Sequence, residues 1–146
     1  MEIPDRRVSG REFDDSPQLM AVVAFDGILK VVNAAWVKTL GYRMDELVGR
    51  KLLRLVDDPD RASALKLINS RPDAAGARPI ELALRCKDGT YRAFQWESRR
   101  VAGEQTIFIT GRDVTDQRRL EVTQNLKMYE LYALAAKKRK PTDPSS

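Results

Sequence analysis

The feature that most constrains the fold is a turn between two apolar runs, followed at once by a helix-start signal. Residues 19–25 form the first run, Asp26-Gly27 supplies turn residues, and residues 28–32 form the second run. Asp-Gly can adopt the positive φ angles of a two-residue type I′ turn, so the runs predict a β-hairpin. Asn33 can then cap a helix by accepting from the free N–H groups of its first turn. This order predicts an antiparallel sheet with helices on one face.

Two helices are indicated in the first half of the chain. Trp36 and Leu40 have helical spacing after Asn33, and Gly41 can end that helix in a left-handed conformation. Further along, Asp58-Pro59 predicts a second helix, with Asp58 as the N-cap and Pro59 at the first helical position. The apolar positions expected on that second helix are Ala62, Leu65, Leu67 and Ile68.

The second half of the chain changes to strand patterns and then to one long helix. Residues 80–85, 91–101 and 105–112 read as strands, separated by turn residues at 87–89 and 103–104. The expected core across both halves consists of Val22, Ala24, Ile28, Val32, Trp36, Leu40, Leu47, Leu65, Ile68, Leu82, Leu84, Phe94 and Ile109.

The long helix carries a repeat of apolar residues. From Val114 the sequence has no Gly or Pro until Pro141, and Val122, Leu126 and Tyr129 step by four and three, as heptad core positions do. Ala133 and Ala136 continue the same step. The pattern fits either a dimeric seam or a helix folded back on its own domain.

Composition excludes several classes of function. The chain has no histidine, which excludes histidine-dependent nucleophiles and histidine-ligated haem or metal, and its one cysteine, Cys86, cannot form an intrachain disulfide. No apolar run is long enough to span a membrane, and we expect a cytoplasmic protein. The net charge is +5, but Lys137, Lys138, Arg139 and Lys140 stand together near the end, so nucleic-acid binding is not expected.

Several short patterns occur in one order and resemble a PAS domain with its C-terminal PAC half. The first half is carried by residues 31–35, 40–42 and 46–50, and the second by residues 87–92 and 111–115. The resemblance implies an α+β fold, with a five-stranded antiparallel sheet, short helices on one face and a long C-terminal helix. The implied organisation is a leader at 1–17, a PAS/PAC domain at 18–114, a signalling or dimerisation helix at 115–138 and a disordered basic tail at 139–146.

The resemblance also implies a sensory function in bacterial-type signalling, such as a two-component system. The domain would relay ligand or partner binding through its C-terminal helix to a downstream signalling domain or protein. The alternative is a ligand-free protein–protein interaction module. No enzyme motif, Gly-rich phosphate loop or calcium loop is present, so we expect neither catalysis nor a metal site.

No cofactor is predicted. The missing histidines argue against haem, and Cys86 lies beside a hairpin turn, away from the helix that carries the reactive cysteine of LOV photosensors. A non-covalent flavin or another small ligand stays open, because two tryptophans could stack on its ring. The pocket candidates are Asn33, Trp36, Leu65, Phe94 and Trp96.

The junction between the last strand and the long helix is the expected relay. Asp113 and Thr115 carry short oxygen-bearing side chains where the first helical N–H groups need partners. The resemblance to the closing PAS motif implies that this pair fixes the exit angle of the helix. The expected assembly is a homodimer with Val122, Leu126 and Tyr129 in its seam.

Overall fold

The computed structural model describes residues 10–69, 79–101 and 103–138. The chain divides into two units, one ending at Val114 and the other beginning at Thr115. The predicted basic tail at 139–146 and the first nine residues of the predicted leader lie outside the described residues.

The first unit is built on the predicted five-stranded antiparallel sheet. Its strands lie in the order β2-β1-β5-β4-β3, so the last strand of the chain is the central strand of the sheet. In register, Ala21 pairs with Ile109, Trp96 with Gly111, and Leu82 with Phe94. The strands are β1 (Leu19–Ala24), β2 (Leu29–Val32), β3 (Ile80–Arg85), β4 (Tyr91–Arg100) and β5 (Thr106–Asp113).

Short helices connect the two halves of the sheet and precede it. They are α1 (Gly10–Asp15), α2 (Ala34–Leu40), α3 (Met44–Leu47) and α4 (Arg61–Asn69), with 3₁₀ turns at Leu52–Leu55 and Asp58–Asp60. Gly41 ends α2 in the predicted left-handed conformation, with φ 86°. The cap before Pro59 is Asp57 rather than the predicted Asp58, because the Asp57 carboxylate accepts from the backbone N–H of Asp58.

The two Asp-Gly turns close over three residues, so the predicted two-residue turn is wrong. At the first turn, the Ala24 N–H donates to the carbonyl of Ile28, and the Gly27 N–H donates to the carbonyl of Ala24. The Asp26 carboxylate accepts from the Ile28 N–H at 3.1 Å, and Asp88 accepts from the Thr90 N–H in the same way. These aspartates stabilise a longer loop in which the glycine takes the positive φ.

The main core lies between the sheet and helices α2–α4. Most of the predicted core residues are buried there. Val22 is buried on the opposite face of the sheet, and Ala24 and Ile28, beside the first turn, are half-buried. Leu65 is the clear error, because its side chain is 47% exposed. Ala64, Leu67 and Ile68 form the buried face of α4, so this helix is rotated relative to the prediction.

A smaller apolar cluster lies on the other face of the sheet. Phe13 of α1 packs with Val22 and Phe108, and the ring centroids of the two phenylalanines are 6.3 Å apart. Residues 10–15 of the predicted leader therefore contribute a buried side chain to the first unit.

The described part of the second unit is a single helix, α5 (Thr115–Lys138), which confirms the predicted long C-terminal helix. Its described apolar side chains between Leu120 and Leu134 are exposed.

Candidate functional site

Three aromatic side chains meet in the main core of the first unit. The ring centroids of Trp36 and Trp96 are 5.8 Å apart, and those of Phe94 and Trp96 are 5.5 Å apart. All three side chains are almost completely buried. The tilted rings contact one another directly, so a flavin ring could stack between the tryptophans only if they moved apart.

Both indole N–H groups of this cluster have backbone partners. Trp36 Nε1 donates to the carbonyl of Met20 at 3.0 Å, and Trp96 Nε1 donates to the carbonyl of Leu82 at 3.4 Å. These bonds connect the cluster to strands β1 and β3. They also satisfy the two buried indole N–H groups, which would destabilise the fold if they had no hydrogen-bond partner.

The ring of Trp96 lies over Gly111 in the central strand. A Cβ atom added at Gly111 would come within 2.6 Å of the Trp96 ring, a distance that real Cβ atoms do not reach. Gly111 is paired with Trp96 across the sheet. The absence of a side chain at this position therefore lets the tryptophan lie flat against β5.

Asn33 has a different role from the predicted helix cap. It stands at the N-cap position of α2, but its side chain makes no capping bond. Instead, its amide nitrogen donates to the carbonyls of Phe13 and Gln18, and its amide oxygen accepts from the N–H of Met20. The three bonds are 2.8–3.0 Å long and join the start of α2 to α1, to the segment before β1 and to β1 itself.

The predicted pocket residues are only partly brought together. Trp36, Phe94 and Trp96 form one cluster, and Asn33 is linked to it through Met20, which bonds both Asn33 and Trp36. Leu65 does not belong to the site, because it lies on the exposed face of α4. No sequence signal pointed to the partners of Asn33, since they lie 13 to 20 residues away along the chain.

The end of the central strand is held by two contacts within the first unit. The Arg92 Nε donates to the Asp113 carboxylate at 2.6 Å, and both side chains are about one third exposed. The N–H of Val114 donates to the carbonyl of Ala93 at 2.8 Å. Thr115 is the first residue of α5 and is buried.

The predicted seam residues of α5 are all accessible. Val122, Leu126 and Tyr129 are between 57% and 79% exposed. A shallow apolar groove on the same helix is lined by Asn125, Met128, Tyr129, Tyr132, Ala133 and Ala136. These residues are thus accessible to a partner helix, and the dimer seam stays a prediction.

The sequence did not predict a surface cleft of about 280 Å³ on the first unit. The cleft lies beside α3, the turn at Leu52–Leu55 and the end of β3, and several basic side chains line it. Three of its cations lie at positions 50–54, but only the folded chain brings Arg85, the last residue of β3, beside them.

The described part of the chain offers neither a metal-binding cluster nor a membrane-spanning helix. Among those residues, no group of three or more Cys, Asp or Glu side chains could hold a metal ion. No helix within the same residues is long and apolar enough to cross a bilayer.

Comparison with known proteins gives one consistent family. A family model described as PAS domain matches residues 17–116. A methyl sulfide methyltransferase-associated sensor from Methanosarcina acetivorans is 30% identical over 125 residues, which is 84% of this chain and 12% of that protein. The chain therefore spans about an eighth of the length of this relative.

Solved structures show the same fold. A PAS domain of an HTR-like protein from Haloarcula marismortui is 23% identical with a TM-score of 0.59, and the match covers 69% of this chain and 84% of that one. A sensory box histidine kinase/response regulator from Burkholderia thailandensis is 21% identical with a TM-score of 0.60, covering 80% and 91% of the two chains.

Proposed function

The chain belongs to the PAS domain family and is a sensory signalling domain, and we propose that it relays changes in its packing through helix α5. The output would belong to a downstream signalling domain or protein, and the proposal assigns no catalytic step to this chain. The name of the Methanosarcina relative, a sensor, supports a role of this kind.

The central position of β5 supports the relay. This strand has a neighbouring strand on either side and lies in the middle of the sheet. Gly111 lies under Trp96, and the chain reaches Val114 three residues later. A shift of the aromatic cluster would therefore act on the strand that continues into α5.

The observation that carries the proposal is the exposed apolar repeat on α5. Val122, Leu126 and Tyr129 have heptad spacing, and their exposure would be unfavourable for a helix that stayed alone in water. The occupant that best fits is a second copy of the same helix, because a heptad seam is self-complementary in a parallel dimer. We therefore propose a homodimer whose seam contains these three residues.

The dimer is tested by measuring mass with light scattering. The wild-type protein should be a dimer at high concentration, and Leu126→Asp should dissociate it, because the new carboxylate would lie in the apolar seam. Gln124→Asp is the matched control, since it adds the same side chain two positions away and outside the heptad core. A monomeric wild-type protein, or equal effects of both variants, would contradict the proposed seam.

The relay is tested by amide hydrogen exchange along α5. Asp113→Ala removes the Arg92 contact, and it should increase exchange at the first turn of the helix while costing only about 0.2–1 kcal/mol of unfolding free energy. Asp45→Ala is the control, because it removes a surface pair with Arg43 elsewhere in the first unit. The relay hypothesis fails if exchange in α5 is the same in both variants.

The direct packing of Trp36, Phe94 and Trp96 favours a second candidate, a ligand-free interaction module. In that case partner binding, rather than an interior ligand, would move the helix. An absorption spectrum and a mass spectrum of freshly purified, denatured protein distinguish the two candidates. We expect a colourless protein without flavin or haem, and a retained small molecule would favour the ligand-sensing function.

A further inference from the structure

The basic cleft on the first unit has a wall whose backbone is fixed. The N–H of Leu29 donates to the carbonyl of Arg50, and the N–H of Gly49 donates back to the carbonyl of Leu29. On the opposite wall, the Tyr42 hydroxyl donates to the carbonyl of Arg85 at 2.8 Å. The cleft is therefore formed by segments that are hydrogen-bonded to strand β2 and to the end of β3. Its lining consists of Leu29, Tyr42, Glu46, Leu47, Arg50, Lys51, Arg54, Leu55 and Arg85.

Four cations line this cleft without an ion-pair partner. They are Arg50, Lys51, Arg54 and Arg85, and no carboxylate of the described chain lies within salt-bridge distance of them. Several basic residues elsewhere on the first unit are paired, such as Arg43 with Asp45 and Arg61 with Asp58. Unpaired cations around one concave surface produce a local positive potential that attracts anions.

The acid in the cleft does not neutralise this charge, because it has its own cation. Both carboxylate oxygens of Glu46 accept from the Lys87 ammonium group, at 2.7 and 2.9 Å. The backbone N–H of Arg43 donates to the same carboxylate. Glu46 thus has three bonds outside the set of four cations, which stay available to a ligand.

The rest of the lining is apolar. Leu29 and Leu47 are completely buried and Leu55 is nearly so, so the apolar surface open to a ligand comes mainly from the half-buried Tyr42 and the exposed edge of Leu55. Ligand sites commonly combine such an apolar surface with a few polar groups that orient the ligand. The cleft therefore suits a molecule with an anionic end and a small apolar body, and its volume of about 280 Å³ limits that body to a small ring or a short chain.

We propose that this cleft binds a small phosphate monoester with an apolar body. A phosphate dianion offers three oxygens, which can accept from several of the cations at once, and the planar guanidinium group matches phosphate geometry. A single carboxylate would leave most of the four cations without a partner. The proposal goes beyond the relay through α5 and does not depend on it, since binding can be measured in the monomer or the dimer.

The test is calorimetric titration of the full chain with three probes. Phenyl phosphate carries both features and should bind with a dissociation constant below about 1 mM. Inorganic phosphate, which lacks the apolar body, should bind at least tenfold more weakly, and benzyl alcohol should not bind. Amide chemical shifts should change at Leu29, Arg50, Arg54 and Arg85 when phenyl phosphate is added.

Variants place the binding at the cleft. Arg54→Gln and Arg85→Gln should each weaken phenyl phosphate binding about tenfold, because each removes one charge-assisted contact. Arg119→Gln is the matched control on α5 and should leave binding unchanged. The proposal is overturned if phenyl phosphate does not bind, if inorganic phosphate binds equally well, if the shift changes lie elsewhere, or if the control weakens binding as much as the cleft variants.

Discussion

The two units of the chain place their large apolar side chains in opposite environments. In the first unit, Trp36, Trp96 and Leu67 are almost completely buried. In α5, which is one sixth of the chain, eight large apolar side chains are exposed: Leu120, Val122, Leu126, Met128, Tyr129, Leu131, Tyr132 and Leu134. Among the described residues of the first unit, the exposed ones are fewer and scattered: Phe25, Met44, Leu65 and Tyr91.

The difference indicates which unit can be stable alone. Burial of apolar surface is the main favourable term in folding, and the first unit obtains it within its own chain. An isolated helix gains little from propensity alone, and most helical stability in proteins comes from packing of an apolar face. We therefore expect the first unit to unfold independently, and α5 to depend on what covers it.

The largest expected effect comes from the aromatic cluster. Trp96→Ala should lower the unfolding free energy of the first unit by about 3–5 kcal/mol, because it leaves a cavity over Gly111. Tyr129→Ala truncates an exposed aromatic side chain on α5 and should change the same free energy by less than about 0.5 kcal/mol. Denaturant melts followed by near-ultraviolet circular dichroism measure both, and equal losses would break the comparison between the units.

The two sides of α4 give the next effect. Leu67→Ala should cost about 2–5 kcal/mol, because Leu67 is completely buried. Leu65→Ala is the matched control two positions earlier, and it should stay within about 0.5 kcal/mol. Chemical denaturation of both variants checks this, and a larger loss for Leu65→Ala would mean that the orientation of α4 is wrong.

A smaller effect is expected at Asn33. Asn33→Ala would leave the Met20 N–H and the carbonyls of Phe13 and Gln18 without their side-chain partner, so we expect a loss of about 1–3 kcal/mol. Asn125→Ala removes an exposed asparagine from α5 and should leave the stability of the first unit unchanged. Thermal melts distinguish them, and a neutral Asn33→Ala would show that water replaces all three bonds.

The smallest effect concerns the charge of Glu46. The hydrogen bond from Lys87 is the main cause that lowers the Glu46 pKa below its usual 4.5, followed by the bond from the Arg43 backbone. A lowered folded-state pKa gives a contribution to stability that is present above pH 4.5 and is lost as the pH falls through the folded-state pKa. A carboxyl NMR titration should therefore place the Glu46 midpoint below 4.5.

The control for that titration is Asp88, a neighbouring carboxyl group whose pKa is lowered by a different hydrogen bond. Lys87→Gln should move the Glu46 midpoint towards 4.5. Asp88 should keep its lowered pKa in this variant, because the side-chain hydroxyl of Thr90 is the main cause there. If the Glu46 midpoint did not move, the contact with Lys87 would not persist in solution.

The strands and the long helix could be predicted because their signals are local. Asp-Gly pairs between apolar runs locate the turns, and the stretch without Gly or Pro after Val114 locates α5. The turn type was wrong because it depends on which backbone N–H the aspartate side chain accepts from. That choice is made by the register of the two strands, which the pair of turn residues does not determine.

The errors within the candidate site have one cause, namely contacts between distant segments. Leu65 and Leu67 are both leucines on a short helix, and only packing against the sheet decides which one is buried. Asn33 is a good cap by residue type, but its side-chain amide instead donates to carbonyls of α1 and of the segment before β1. The basic cleft was missed because Arg85, at the end of β3, lies about 30 residues along the chain from the other three cations at positions 50–54.

The pair formed by Trp36 and Trp96 gives this protein a built-in optical probe. These are the only two tryptophans of the chain, they are completely or almost completely buried, and both belong to the first unit. Two of the four tyrosines, Tyr129 and Tyr132, lie on α5. Emission excited at the red edge of the spectrum, where tyrosine does not absorb, therefore reports on the core alone. A stimulus that altered tryptophan emission would have reached the core, whereas one that altered only tyrosine emission could have acted entirely on the helix.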